Sequence, residues 1–168
     1  MSEVVVTVNV VIVVESAFGN TAQLAEQVQA ALLERGAEVA LVPADEAPPR
    51  IAADLVLVGA PTHNLGLPSP STRKKATQLG GTAPERGVRE WIADVQSIDA
   101  PVVTFTTVTG RFTGSAASAT VRELKRRGIK AQRGPDFRVE AVVGPIEDGQ
   151  SQRVLDWVAE LVANYSSS

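Results

Sequence analysis

Apolar and polar positions along the chain follow two rhythms, one of period two and one of period three to four, and the rhythms take turns. Residues 4–14 are valine or isoleucine except at Thr7 and Asn9. Branching at Cβ restricts χ1 and suits a pleated strand better than a helix. A strand without a polar face is covered on both sides, as in parallel sheets, so a central strand is expected from about residue 8. The same run is about half the roughly 20 residues a helix needs to span a bilayer. No lysine or arginine precedes it and no small-residue cleavage site follows, so neither a membrane span nor a signal peptide is expected.

Residues 21–35 then carry Leu24, Ala25, Val28, Ala31 and Leu32, the spacing of one helical face, and Gly36 stands where glycine ends helices. Residues 37–42 read as a short strand, 45–50 as a loop around Pro48 and Pro49, and 54–59 as a third buried strand. A long polar stretch over 60–85 follows, with room for a helical piece at 71–78; such stretches in compact domains are usually functional or disordered. Residues 88–95 read as a helix with Trp91, Ile92 and Val95 on one face, 101–107 as a strand, and 115–127 as an amphipathic helix ended by Gly128. Residues 129–132 and 137–142 read as two pieces of a fifth strand interrupted at Gly134-Pro135, and 150–164 as the last helix. Alternating strands and helices predict an α/β fold with helices on both sides of a doubly wound, five-stranded parallel sheet, in three layers. The expectation is one domain over residues 1–165, with 166–168 a frayed tail.

Composition narrows the chemistry. The 168 residues contain no cysteine and one histidine, which excludes a disulfide framework, a thiol nucleophile and a multi-histidine metal centre. A net charge of −3 gives no positive field for nucleic acid. The expected setting is cytoplasmic, with no metal, no membrane and no nucleic acid, and as monomer or homodimer.

In a doubly wound sheet, ligands sit outside the carboxyl ends of the strands where strand order reverses. Glu15, Ser16, Ala17, Phe18, Gly19, Asn20 and Thr21 follow the first strand and open the first helix. A helix N-terminus offers unpaired amides and the positive end of its dipole. Gly19 allows close backbone approach, and Ser16, Asn20 and Thr21 bring short hydrogen-bonding side chains. The loop has no lysine or arginine, so an anion would be held by neutral dipoles; the competing reading is that Asn20 or Thr21 simply caps the helix. No G-x-x-x-x-G-K-[ST], G-x-G-x-x-G or G-x-S-x-G run is present, against a P-loop, a dinucleotide site and a nucleophile elbow. A phosphoacceptor receiver would want an aspartate where the third strand ends, and that place reads Gly59-Ala60-Pro61.

Residues 13–21, with this strand and helix order, resemble the phosphate-binding loop of flavodoxins and flavodoxin-like FMN proteins. The resemblance implies strand order 2-1-3-4-5 and FMN at the ends of the first, third and fourth strands. Ser16, Ala17, Phe18, Gly19, Asn20 and Thr21 would then hold the ribityl phosphate. Pro61, Thr62, His63, Asn64, Leu65 and Gly66 would line one side of the isoalloxazine, and Thr106, Thr107, Val108 and Gly110 the other. It implies a redox partner protein or NAD(P)H reductase, and no catalytic side chain, because the cofactor performs the redox chemistry.

The chain departs from that family in three ways. No tryptophan or tyrosine falls in either flavin loop; Phe112 reads as an apolar pin rather than a stacking residue. Phe18 stands where flavodoxins commonly have a hydroxyl, removing one hydrogen bond to phosphate. Arg73, Lys74, Lys75 and Arg111 replace an acidic rim; they read as a solvated loop surface, and any that faced the ring would favour the anionic reduced flavin. His63 is open between a hydrogen bond to flavin and one to backbone. The basic stretch Arg122, Lys125, Arg126 and Arg127 reads as a solvated helix face. The expected function is FMN-based electron transfer between a reductase and an acceptor. The rivals are an FMN-dependent NAD(P)H:quinone-type oxidoreductase and a non-redox binding module that has lost tight FMN binding.

Overall fold

The computed structural model describes residues 7–109, 114–142 and 144–165. In chain order its elements are β1 (Asn9–Val14), α1 (Asn20–Glu34), β2 (Glu38–Pro43), β3 (Arg50–Ala52), β4 (Leu55–Pro61) and α2 (Pro70–Gln78). Then follow α3 (Val88–Asp94), β5 (Ser97–Asp99), β6 (Val102–Val108), α4 (Ala116–Arg126), β7 (Gln132–Arg138) and α5 (Gln150–Tyr165). The main sheet runs β2-β1-β4-β6-β7, all parallel. Counted among its own five strands this is the order 2-1-3-4-5, as expected.

Period-two alternation sorts the core. Val10, Ile12 and Val14 of β1, Leu55 and Leu57 of β4, and Val103 and Phe105 of β6 face Leu24, Val28 and Leu32 of α1 and Val154, Val158 and Leu161 of α5. Val13, Val56, Val58 and Val102 face the other way, onto Val88, Trp91 and Ile92 of α3 and Leu124 of α4. Both faces of the inner strands are therefore apolar, which is why residues 10–14 read as a continuous run. Gly59 is the exception because the Phe105 ring occupies the space a Cβ would take. Gly59→Val should cost about 1–3 kcal/mol or more by overpacking, read as a lower urea midpoint with unchanged slope.

Three expectations need correction. The fifth strand is a single strand, Gln132–Arg138, that runs through Gly134-Pro135. Its register against β6 shifts between Thr104 and Thr106. An edge strand tolerates a proline that donates nothing, and Gly134 lies so close to the Thr104 carbonyl that no Cβ would fit. Residues 139–142 are not strand; Val139 makes only an isolated bridge to Ile146. Finally, the connection around Pro48 and Pro49 leads into β3, which pairs with β5 in a separate two-stranded sheet that the sequence reading passed over. Residues 166–168 lie outside the described residues. Among the described residues, no helix is long and apolar enough to cross a membrane.

Candidate functional site

Strand order reverses between β1 and β4, and the loops that leave these strands build one cavity. Ser16, Ala17, Phe18, Asn20 and Thr21 line it from the first loop, Pro61, Thr62 and His63 from the second, and Thr107 and Thr109 from the end of β6. Val139 and Val142, which the sequence reading missed, close it from the segment after β7. Its volume is about 90 Å³.

The helix entry is open. Gly19 is the N-cap of α1, at φ 93°, and no side chain caps the helix. Neither Asn20 nor Thr21 does so: the Asn20 Nδ2 donates to the Val142 carbonyl at 3.0 Å, and the Thr21 hydroxyl pairs with that of Thr107 at 2.9 Å. The Gly19 amide donates to Ser16 Oγ at 3.1 Å, which tightens the loop. Uncapped first-turn amides beside neutral hydroxyls offer fixed dipoles that favour negative charge. The Phe18 ring also lies beside Gly81.

The second loop is a tight hairpin. His63 and Gly66 exchange backbone hydrogen bonds at 2.8 and 2.9 Å, and Asn64 and Leu65 both adopt positive φ, 44° and 71°. That pairing is the primed turn favoured in two-residue hairpins, and leucine rarely accepts it. Asn64, Leu65 and Gly66 stand outside the cavity, with Leu65 exposed and bridged to Gly114. Thr106 lies behind the wall, its hydroxyl bonded to Thr62 Oγ1 and the Ala60 carbonyl, and Val108 is buried in β6. Gly110, Arg111 and Phe112 lie outside the described residues.

His63 is held by its Nδ1, 3.0 Å from the Thr72 hydroxyl. Burial pushes its imidazole below the ordinary 6.5, with the Glu15 charge opposing and the Arg73 charge assisting. On acidification the unfolded chain therefore takes up this proton first. Stability should fall as pH drops through 6.5 and level off below the folded value. His63→Gln should flatten that part of the profile, read from urea midpoints at about pH 7.5 and pH 5.5.

The largest surprise lies behind the first loop. Arg73 is not on a solvated surface: its side chain is 3% exposed and its Nε donates to Glu15 Oε2 at 2.7 Å. Arg73 also reaches Glu90 at 2.6 Å, and the Val88 amide donates to Glu15 Oε1 at 2.9 Å. Burial works against the Arg73 charge, but Glu15 and Glu90 outweigh it and raise its pKa. Burial likewise opposes ionised Glu90, yet Arg73 and the Gly87 amide hold it below the usual carboxylate range. Lys74 and Lys75 are exposed, as are Arg122, Lys125, Arg126 and Arg127. Among the described residues no cluster of three potential metal ligands occurs.

No family model matches the chain, and no curated protein matches it in sequence. Solved structures do. A flavodoxin of Streptococcus pneumoniae superposes with a TM-score of 0.63 at 18% identity, over 93% of this chain and 99% of that one. Flavodoxin 1 of Bacillus cereus gives 0.59 at 15% identity, over 92% and 97%. The fold is flavodoxin-like. The rubredoxin oxygen:oxidoreductase of Desulfovibrio gigas also superposes, with a TM-score of 0.59 at 16% identity; 95% of this chain matches 37% of that one. In this flavodoxin-like sheet the cavity lies at the reversal of strand order, between the loops after β1 and β4.

Proposed function

We propose that the chain binds FMN by its phosphate and carries electrons between a reductase and an acceptor. The observation that carries this reading is the uncapped entry to α1, which opens on a cavity lined by Ser16, Asn20 and Thr21. A phosphomonoester there would receive amide hydrogen bonds and the helix dipole without needing a cation. Thr21, fixed against Thr107, orients the first turn, and Ser16 Oγ holds the loop in shape through the Gly19 amide. His63, with Nδ1 engaged by Thr72, keeps Nε2 for a ligand. FMN, when bound, supplies the one- and two-electron redox chemistry. The superposed flavodoxins include an oxidised form from Bacillus cereus and a two-electron-reduced form from Megasphaera elsdenii.

The fit is good at the phosphate end and tight at the ring end. A cavity of about 90 Å³ is well below the roughly 300–1,000 Å³ of typical ligand pockets. Seating a tricyclic ring there requires the space between the loops to widen. That small volume favours the second reading, a non-redox module that binds FMN poorly. Mixing the FMN-loaded protein with NADPH and a quinone separates the remaining rival: a carrier gives no turnover until a reductase is added, whereas a quinone-type oxidoreductase turns over alone.

A further inference from the structure

The loop over residues 15–21 contains a single formal charge, and it is negative: Glu15. The alternation of β1 sends Val13 to the α3 face of the sheet, and Glu15, two residues on and next in the chain to Ser16, turns to the same side, against Arg73 and the Val88 amide. Its carboxylate is 1% exposed. Unscreened, it would oppose any phosphate held by residues 16–21, because water is not there to attenuate the repulsion.

Arg73 answers that charge. Its guanidinium addresses Glu15 with two nitrogens, Nε at 2.7 Å and Nη2 at 3.3 Å, and is further fixed by the Pro68 carbonyl at 3.4 Å. Glycine at position 87 is part of the arrangement, since a Cβ there would overlap both the Glu15 carboxylate and the Arg73 guanidinium. The neighbouring residue on α2, Thr72, holds His63 on the cavity wall. One turn of α2 thus fixes both the back of the first loop and the side of the second. Stability alone does not account for the pair, because buried ion pairs are often no better than apolar residues of similar volume.

We infer that the Glu15–Arg73 pair sets the anion affinity of the cradle, with Arg73 a positioning residue that cancels the one carboxylate lying behind the phosphate site. This rests on the reading of residues 16–21 as a phosphomonoester site. The charged groups around Glu15 are Arg73 of α2, Glu90 of α3 reached through Arg73, Arg89 of α3, which shares the Pro68 carbonyl with Arg73, and His63 of the second loop. Glu90 is 26% exposed, so solvent damps its share.

The test uses the whole chain as wild type, Glu15→Gln, Arg73→Gln and the double variant. Each is titrated with inorganic phosphate, followed by the amide resonances of Gly19, Asn20 and Thr21, and with FMN and riboflavin by calorimetry. A unit charge on the order of 10 Å from an anion, at an effective dielectric constant of about 20, changes affinity roughly tenfold. Glu15→Gln should therefore bind phosphate and FMN about tenfold tighter, and Arg73→Gln about tenfold weaker. The double variant should return to within about threefold of wild type, and riboflavin affinity should not follow the series. If Arg73→Gln does not fold, Glu15→Gln and the double variant decide, since misfolding cannot produce a gain. Affinity unchanged in Glu15→Gln, or a double variant as weak as Arg73→Gln, overturns the inference. Wild type that binds phosphate but not FMN removes the flavin reading and leaves this one to the phosphate titrations. Wild type that binds neither overturns both.

Discussion

Trp91→Ala should lower the unfolding free energy by about 3–5 kcal/mol, the range for emptying a large aromatic site in a core. Trp91 is 0% exposed and packs in the cluster of Val56, Val58, Val88 and Ile92 between the sheet and α3. Its Nε1–H donates to the Pro48 carbonyl at 3.0 Å, tying α3 to the chain just before β3. Pro48 is exposed, so its carbonyl finds water in the variant and the cost is chiefly the cavity. At roughly 2–4 °C per kcal/mol for a chain of this size, the thermal midpoint should fall by about 10 °C. Circular dichroism melting of wild type, Trp91→Phe and Trp91→Ala checks this. A loss under about 1 kcal/mol would mean that Trp91 is not at the centre of that layer.

Gly19→Val should have the largest effect on binding. Gly19 sits at φ 93° with no heavy atom within 4 Å of where a Cβ would be, so the added Cβ meets open space. The penalty is conformational: a β-branched residue leaves the left-handed region, at a cost of about 1–3 kcal/mol if the fold forces it to stay. Either way the amides around the entry to α1 lose their common aim. Losing two hydrogen bonds to a charged phosphate, at about 1.5–3 kcal/mol each, weakens FMN binding by a hundredfold or more. Riboflavin, which has no phosphate, should bind as before. Equal losses for the two ligands would place the phosphate elsewhere.

The elements were legible where one chemistry repeats locally. Valines in sequence made β1, and Gly36 and Gly128 marked the ends of α1 and α4, each adopting positive φ just past its helix. The hydroxyls and glycine of residues 16–21 were legible for the same reason, being contiguous. What escaped the sequence was long-range pairing. Glu15 and Arg73 are 58 positions apart, and nothing in the polar stretch around Arg73 distinguishes it from its exposed neighbours Lys74 and Lys75. One local sign did exist: a carboxylate two residues beyond Val13, on a strand face that is otherwise apolar, needs a buried partner. β3 and β5 escaped because three residues are too few to show a period. β7 was broken in two because glycine and proline signal a turn and equally signal a bulge on an edge strand.

The central claim is that the entry to α1 grips a phosphomonoester. Calorimetric titration of the purified chain with FMN, run beside riboflavin, tests it most directly. One-to-one binding of FMN is expected, with riboflavin weaker by at least the hundredfold that two charged hydrogen bonds supply. No heat with FMN, or equal affinity for both flavins, would contradict it.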